Sequence, residues 1–222
     1  ELEDAAALVR GKDAAPRGSL SITAPVLFGR LHILPIAERL AADHPDLSIR
    51  MTFLDRVTHL VEEGFDLAVR IGTPADSALI GVPLAEVRRL TVASPDYLAA
   101  HGTPRTPADL RHHRIVAFEG IGATNDWRFG ARGETGVHVQ PRLSVNSAAA
   151  AIASAERGHG ITRALSYQVD DAIAAGRLAR LLEAFEPAAV PVTLLYQASR
   201  RGAPNIAAFV AAARAHFGAA RA

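Results

Sequence analysis

The stretch that most constrains the fold is residues 64–72, GFDLAVRIG. Its apolar residues occupy every second position, at Phe65, Leu67, Val69 and Ile71. This alternation is typical of a β-strand, and the residues before it, DRVTHLVEEG, place apolar side chains at helical spacing. Gly64 suits the left-handed turn that ends a helix. We therefore predict a helix, a glycine turn and a buried strand in succession, as in a parallel α/β layer.

The carboxyl end of this predicted strand is a candidate binding site. In open α/β sheets, ligands bind beyond the carboxyl ends of the strands, and Arg70 and Ile71 lie at such an end. The alternative is that Asp66 and Arg70 are surface charges on a half-buried strand. They cannot pair with each other directly, because four strand residues separate them by roughly 13 Å.

Further strand and helix signals fall into two groups of βα units, one before about residue 88 and one between 88 and 190. The first group contains a strand, a helix over residues 28–43 and a strand over residues 47–53. The last strand, VPVTLLYQ, and the helix that opens at Pro204 must return to the first group, because that helix otherwise has no sheet to cover. The chain is therefore predicted to be an α/β protein of two sheet-containing parts.

Polar residues at the predicted helix starts indicate a site for an anion. Thr23, Ser94 and the pair Asn146 and Ser147 each follow a strand and precede a helix. Helix N-termini carry unpaired backbone N–H groups and partial positive charge, so several of them together favour a negatively charged ligand. The alternative is that each of these residues only caps its own helix.

The predicted helix over residues 28–43 has more apolar surface than one sheet can cover. One stripe contains Leu31, Leu34, Ala37 and Ala41, and a second contains Ile33, Ile36 and Leu40. Two stripes predict two partners, namely the parent sheet and a surface outside it. The strand over residues 47–53 alternates cleanly and can form a sheet edge. Together they predict a self-complementary surface of the kind that a two-fold dimer requires.

Composition and motifs exclude several classes of function. The chain has 24 basic and 23 acidic side chains, so it lacks the basic excess of a nucleic-acid-binding domain. It has no cysteine, which rules out disulfides, thiolate metal sites and cysteine nucleophiles. The metalloprotease, serine-hydrolase and phosphate-loop signatures are missing. We expect no catalytic residues, no metal site and no cofactor.

Individual serine and histidine residues have simple interpretations. Ser94 and Ser166 are interpreted as helix caps, since neither has an identifiable base beside it. His159, between two glycines, is interpreted as a turn or cleft-lining residue. No apolar run approaches the roughly 18 residues that span a bilayer, and the polar N-terminus favours a cytoplasmic protein.

Several segments carry a resemblance to a known family. GFDLAVRIG is preceded by TAPVLFGRLHILP and followed by LTVASPDYLAAHGTP, GHGITRALSYQV, AAGRLARLL and PVTLLYQASR. In this order and spacing, the chain closely resembles the effector-binding domain of LysR-type transcriptional regulators, from about residue 18 to residue 217. The resemblance implies a two-lobed, type 2 periplasmic-binding-protein-like α/β fold. Each lobe is expected to be a mostly parallel sheet flanked by helices, with two crossover strands joining the lobes.

The resemblance also implies domain limits and site residues. Residues 1–17 are expected to be the end of a linker helix and a linker, residues 18–88 with 191–222 lobe I, and residues 89–190 lobe II. With the strand-end argument, the expected ligand-binding residues are Thr23, Ala24, Pro25, Arg70, Ile71, Ser94, Asn146, Ser147, His159 and Thr162. The expected dimer-interface residues are Leu31, Ile33, Leu40, Arg50 and Phe53. The chain departs from the wider family at Leu165, where much of the family has proline.

The function implied by the resemblance is effector sensing and dimerisation within a DNA-binding regulator. The effector is expected to be a small anionic metabolite, in particular a carboxylate, bound between the lobes. The expected partners are this effector and a second copy of the chain. For the full-length protein, both a dimer and a tetramer are compatible with the resemblance. DNA contact is expected only through a winged helix-turn-helix outside this sequence, and no membrane contact is expected. The alternatives are a monomeric secreted solute-binding protein of the same fold and an enzyme on the same scaffold.

Overall fold

The computed structural model describes residues 15–56, 58–72, 79–120 and 124–219. The predicted linker helix before residue 15 lies outside the described residues. The chain divides into two compact units. Unit 1 contains Glu1–Ala85 and Pro191–Ala222, and unit 2 contains Glu86–Val190. Each unit has its own sheet and helices, which confirms the predicted α/β class.

Unit 1 is built on a five-stranded sheet. Its strands are β1 (Gly18–Ala24), β2 (Leu47–Phe53), β3 (Leu67–Ile71), β4 (Leu79–Val87) and β12 (Val190–Gln197), in the order β2-β1-β3-β12-β4. β1 runs parallel to β2 and β3, whereas β12 runs antiparallel to β3. β3 lies in the middle of the sheet, and Leu67, Ala68 and Val69 are all buried. The predicted strand is therefore confirmed as a central strand that is covered on both faces.

The prediction of a helix before β3 is wrong, because residues 60–64 form only a single turn. Phe65 N–H donates to the Leu60 carbonyl (3.0 Å) and Gly64 N–H to the Val61 carbonyl (3.3 Å), and Gly64 has a φ of +72°. This is the pair of bonds that ends a helix at a glycine, so the predicted termination is correct. The prediction of a buried apolar stripe before this turn is wrong. Val61 is 61% exposed, so it adds no buried area that would stabilise a longer helix.

The segment after β1 begins with the short helix α1 (Val26–Phe28), continues through the π-helical turn Gly29–Ile33 and becomes α2 (Leu34–Asp43). Pro35 occupies the first turn of α2, where its missing N–H does no harm. A π-helical turn adds one residue and rotates the side chains that follow it. Ile33 and Leu40 both point into the core, with 0% and 6% exposure, as does Ile36 of the same predicted stripe. The prediction that they face a second protomer is therefore wrong.

The long C-terminal helix α6 (Pro204–Ala219) packs against β1 and α2. The Asn205 side chain donates to the Ser19 carbonyl of β1 (2.9 Å), which fixes the start of the helix on the sheet. The face predicted from the sequence is confirmed, since the residues at that spacing are buried or half-buried: Ile206, Phe209, Val210, Ala213 and Phe217.

Two neighbouring histidines, His32 in the π-helical turn and His216 on α6, have lowered pKa values. Arg39 Nη2 lies 3.1 Å from His216 Nδ1, which must accept because a guanidinium only donates. Burial lowers the pKa of His216, with a smaller contribution from the charge of Arg39. Burial also lowers the pKa of His32, whose ring lies 6.0 Å from that of Phe217, with a smaller contribution from His216.

We expect unit 1 to lose stability in mild acid. Both folded-state pKa values lie below the ordinary value of 6.5, so the unfolded chain binds more protons in this window. The contribution of these two histidines to the free energy of unfolding is complete above pH 6.5. It is lost as the pH falls through that value toward the folded-state pKa values. Urea denaturation at a series of pH values between 8 and 5 measures the slope. A His32→Gln, His216→Gln double variant should flatten it, and an unchanged slope would contradict this account.

Unit 2 contains seven short strands among its described residues. They are β5 (Arg89–Ala93), β6 (Ile115–Phe118), β7 (Asp126–Phe129), β8 (Thr135–His138), β9 (Pro141–Val145), β10 (Thr162–Leu165) and β11 (Ala179–Leu181). They form a three-stranded antiparallel sheet of order β10-β5-β11, a parallel pair β6-β9 and a hairpin β7-β8. A parallel bridge between Ile115 and Ile161 joins β6 to the start of β10. β6, β9 and β10 therefore run in one direction and β5 runs in the other.

Three helices cover the sheets of unit 2, namely α3 (Pro95–His101), α4 (Ala148–Glu156) and α5 (Ser166–Ala174). Ser94 caps α3 as predicted, because its buried Oγ accepts from Tyr97 N–H (3.3 Å). The prediction for Ser166 is wrong, since its Oγ instead accepts from Arg88 N–H (3.2 Å). The start of α5 is satisfied by Gln168, which accepts from Leu165 N–H (2.9 Å). In the described part of the chain, no helix is long and apolar enough to cross a bilayer.

Candidate functional site

In unit 1 the structure brings together the predicted residues at the ends of β1 and β3. The two strands are parallel, with Thr23 opposite Ala68, so Ala24 and Pro25 lie at the same sheet edge as Arg70 and Ile71. Parallel strands end together in this way whenever a sheet is formed by βα units. The edge is the strongest candidate site in unit 1.

Thr23 is the most unusual residue at this edge. Its side chain is fully buried, and its hydroxyl oxygen has no hydrogen-bond partner among the residues that the structure describes. Buried hydroxyl groups are normally paired, because an unpaired one has lost its bonds to water without replacement. An unpaired hydroxyl at a strand end, where ligands bind in such sheets, is what a site for a polar ligand requires.

Arg70 supplies a positive charge at the same edge. Its guanidinium donates to the carbonyls of Val69 (3.1 Å) and Thr58 (3.3 Å). Burial lowers its pKa, while the charge of Glu63 acts weakly in the opposite direction. Within the described residues, no carboxylate forms an ion pair with Arg70. It therefore remains able to bind a ligand carboxylate.

Asp66, four residues earlier, has a structural role. Its carboxylate accepts from Ser21 N–H (2.8 Å) and forms an ion pair with Arg200 (2.8 Å). It thus extends the pairing of β3 with β1 and fixes the segment after β12. The alternative of a plain surface charge is wrong for Asp66, because its side chain is 13% exposed and fully engaged.

In unit 2 the predicted residues do not converge. Ser94 lies level with Gly160, and Asn146 lies about five residues farther along the strand direction, which is a displacement of roughly 16 Å in that direction alone. This separation follows from the direction of β5, which runs opposite to β9, so their carboxyl ends are at opposite edges. The expectation that these helix starts form one anion site is wrong for Ser94 and Asn146.

The remaining predicted residues of unit 2 are separate from one another or already engaged. Ser147 caps α4, with its Oγ accepting from Ala150 N–H (3.3 Å). Thr162 is buried and donates its hydroxyl proton to the Val116 carbonyl (2.8 Å). His159 is exposed in the turn between two glycines and lines a cavity on the amino-terminal side of β6 and β9. Of the predicted residues, only Asn146 and Ser147 remain at the carboxyl edge of these strands.

One half-buried cation of unit 2, Arg163, was missed from the sequence. The guanidinium carbon of Arg163 lies 5.2 Å from the ring centre of Trp127 and 4.7 Å from that of Phe129. Its Nη2 donates to the Arg128 carbonyl (2.6 Å), while its Nε is buried and has no partner within the described residues. Burial, with a smaller effect of the nearby Arg89 charge, lowers the pKa of Arg163 to about 9. The residue joins β10 to the β7-β8 hairpin through cation–π contacts.

Among the residues that the structure describes, no group of three or more histidine and acidic side chains could hold a metal ion. The residues at the edge of unit 1 offer a hydroxyl, a guanidinium and backbone groups for binding.

Comparison with known proteins places this geometry in a family of sensor domains. The family model for the LysR substrate binding domain matches residues 13–218, and the chain belongs to this family. Its relatives include the HTH-type transcriptional regulator PtxR of Pseudomonas aeruginosa. The two are 33% identical over 224 residues, which cover 98% of this chain and 70% of PtxR.

Solved structures show the same fold. CrgA, a LysR-type transcriptional regulator from Neisseria meningitidis, matches with a TM-score of 0.81 and 23% identity over 98% of this chain and 74% of CrgA. The regulatory domain of AphB from Vibrio vulnificus matches with a TM-score of 0.72 and 21% identity over 90% of this chain and 98% of that domain. The fold is thus the type 2 periplasmic-binding-protein-like fold of LysR regulatory domains.

Proposed function

We propose that this chain senses a small carboxylate for a LysR-type transcriptional regulator, and that it dimerises. The carboxylate binds at the edge of unit 1 formed by Thr23, Ala24, Pro25, Arg70 and Ile71. The observation that carries this proposal is the buried Thr23 hydroxyl, which has no hydrogen-bond partner in the described part of the chain. Arg70 supports the anionic character of the ligand, because it is a partly buried cation without an acidic partner among the described residues.

The other parts of the proposal follow from the family. LysR regulators bind DNA through an N-terminal domain, so we place DNA contact there and the protein in the cytoplasm. The placement of the effector between two lobes, and the domain limits, stay predictions. The named relatives are transcriptional regulators, in keeping with a sensor rather than an enzyme.

Replacing Thr23 with valine should weaken carboxylate binding on the order of tenfold or more, since a hydrogen bond to a charged ligand is lost. The ligand-free protein should be at least as stable as the wild type, because the variant removes an unpaired buried hydroxyl and keeps nearly the same shape. Titration calorimetry with a carboxylate found by screening measures the affinity, and thermal unfolding measures the stability.

Thr91→Val is a matched control for this variant, since Thr91 is also a buried strand threonine but lies in unit 2 outside the proposed edge. Its affinity for the carboxylate should equal that of the wild type. Equal affinities for wild type and Thr23→Val would remove Thr23 from the site. Equally weakened binding in both threonine variants would show that the effect is not specific to the edge.

The proposed dimer surface lies on the outer side of the π-helical turn and β2. Leu31 is 44% exposed, which is high for a large apolar side chain, and Arg50 is exposed on β2. Phe53 is half-buried and packs so closely on Gly29 that no side chain would fit there. With Ile33 and Leu40 in the core, the proposed surface reduces to Leu31, Arg50 and the exposed part of Phe53.

Leu31→Glu should convert a dimer into a folded monomer, because it introduces a charge into an apolar contact. Val61→Glu is the control, as Val61 is more exposed still and belongs to the turn before β3, which is part of neither the π-helical turn nor β2. Analytical ultracentrifugation measures the masses. A dimeric Leu31→Glu variant would place the interface elsewhere, and a monomeric wild type at all concentrations would favour the solute-binding alternative.

A further inference from the structure

A cavity of about 270 Å³ lies entirely within unit 2 and contains none of the residues at the proposed carboxylate-binding edge of unit 1; of the ligand-binding residues expected from the sequence, it includes His159. Its wall is formed by the first residues of β6 and β9 and by the last turn of α4 with the segment after it. Three arginines and a histidine surround it, namely Arg114, Arg142, Arg157 and His159, together with Ser154 and apolar atoms of Ile115, Val116 and Leu143.

Arg142 reaches this cavity because of a β-bulge. Ile115 is opposite Pro141 and Val116 is opposite Leu143, so Arg142 is an extra residue on β9. A bulge bends its strand and re-aims the side chain of the extra residue. The cavity at the amino-terminal end of β9 is thus lined by a side chain that a regular strand would direct elsewhere.

The turn that carries His159 is held tightly against Arg114. Ile161 N–H donates to the Arg114 carbonyl (2.8 Å), and a Cβ at Gly160 would lie 2.9 Å from the carbonyl carbon of Arg114. Glycine at this position allows the close approach, at a φ of +156°. His159 and Arg114 are therefore fixed side by side by the backbone.

The positive charge of this cavity is not neutralised by the protein. Arg114, Arg142 and Arg157 have exposed side chains, and none forms an ion pair within the described residues. Glu156, the neighbour of Arg157 in sequence, is paired with Arg177 (3.0 Å). Three cations thus face one concave surface in a chain whose net charge is only +1.

We propose that this cavity is a second ligand site, which binds a small oxyanion carrying at least two negative charges. Guanidinium groups match the oxygen geometry of phosphate and carboxylate, and three of them exceed what one carboxylate can satisfy. A phosphate monoester and a di- or tricarboxylate share this chemistry. The apolar atoms of Ile115 and Leu143 leave room for a short carbon skeleton beside the charged groups. The inference does not depend on the function proposed for the edge of unit 1.

Titration calorimetry with inorganic phosphate and, separately, with citrate tests the proposal at constant ionic strength. The wild type should bind at least one of the two probes. Arg142→Gln and Arg157→Gln should each weaken that binding on the order of tenfold, since each removes a charge-assisted hydrogen bond. Arg132→Gln, at an exposed arginine in the β7-β8 turn outside the cavity, should bind as the wild type does.

The pattern of the variants decides the outcome. Binding of phosphate alone supports a phosphate ligand, and binding of citrate alone supports a polycarboxylate. Thr23→Val should leave this binding unchanged, so failure of the carboxylate site and failure of this site can be told apart. The proposal is overturned if neither probe binds, or if Arg142→Gln and Arg157→Gln bind as tightly as Arg132→Gln.

Discussion

Gly160→Ala is expected to lower the free energy of unfolding by about 3 kcal/mol or more, through overpacking and backbone strain together. The added methyl group would overlap the backbone carbonyl of Arg114, which cannot move because Ile161 N–H donates to it and Val116 N–H donates to the Ile161 carbonyl. The junction of β6 with β10 would have to open. Chemical denaturation of wild type and variant, followed by circular dichroism, measures the loss.

Gly176→Ala separates the two causes of this loss. Gly176 has a φ of +71°, and no atom lies within 4 Å of the position that an added methyl group would take, so only backbone strain applies there. Its expected cost is about 1 kcal/mol. If Gly160→Ala costs no more than Gly176→Ala, the close approach of the glycine turn to Arg114 is not as described.

Phe209→Ala should destabilise unit 1 by about 3–5 kcal/mol, the usual cost of truncating a buried phenylalanine. Phe209 is fully buried on the face of α6 that covers the sheet, so the deletion leaves a cavity that the surrounding side chains cannot fill. Val210→Ala, at a half-buried neighbour, should cost less than about 1.5 kcal/mol. Thermal and urea unfolding of both variants measure the difference, and similar costs would contradict the burial of this face.

The elements that follow from local pattern were predictable from the sequence. β3 and α6 have apolar residues at the correct period, and in both elements residues at that period are buried. The one-turn segment before β3 was not predictable, because Val61 has helical spacing without a surface to cover. The inward direction of Ile33 and Leu40 was not predictable, because a helix with two apolar stripes does not show from its sequence which stripe faces the sheet.

The candidate site was predictable only where neighbouring strands are parallel. Thr23 and Arg70 lie at the same edge of the sheet because β1 and β3 run in the same direction. Ser94 and Asn146 lie at opposite edges, because β5 and β9 run in opposite directions. A sequence that shows a strand followed by a helix cap does not show the direction of that strand in the sheet. The cavity of unit 2 that is lined by three arginines joins residues from three separate segments of the chain. The only feature of the local sequence that points to it is the pair of glycines around His159.

The most direct measurement of the central claim is a thermal-shift screen of small metabolites, with neutral, cationic and anionic compounds at equal concentration. A ligand that binds only the folded chain raises its melting temperature, and the rise grows as its concentration exceeds the dissociation constant. We expect one or more small carboxylates to raise the melting temperature of the wild type, and to do so much less for Thr23→Val. A screen that returns only sugars or cations, or a carboxylate that stabilises Thr23→Val as strongly as the wild type, would contradict the proposed effector site.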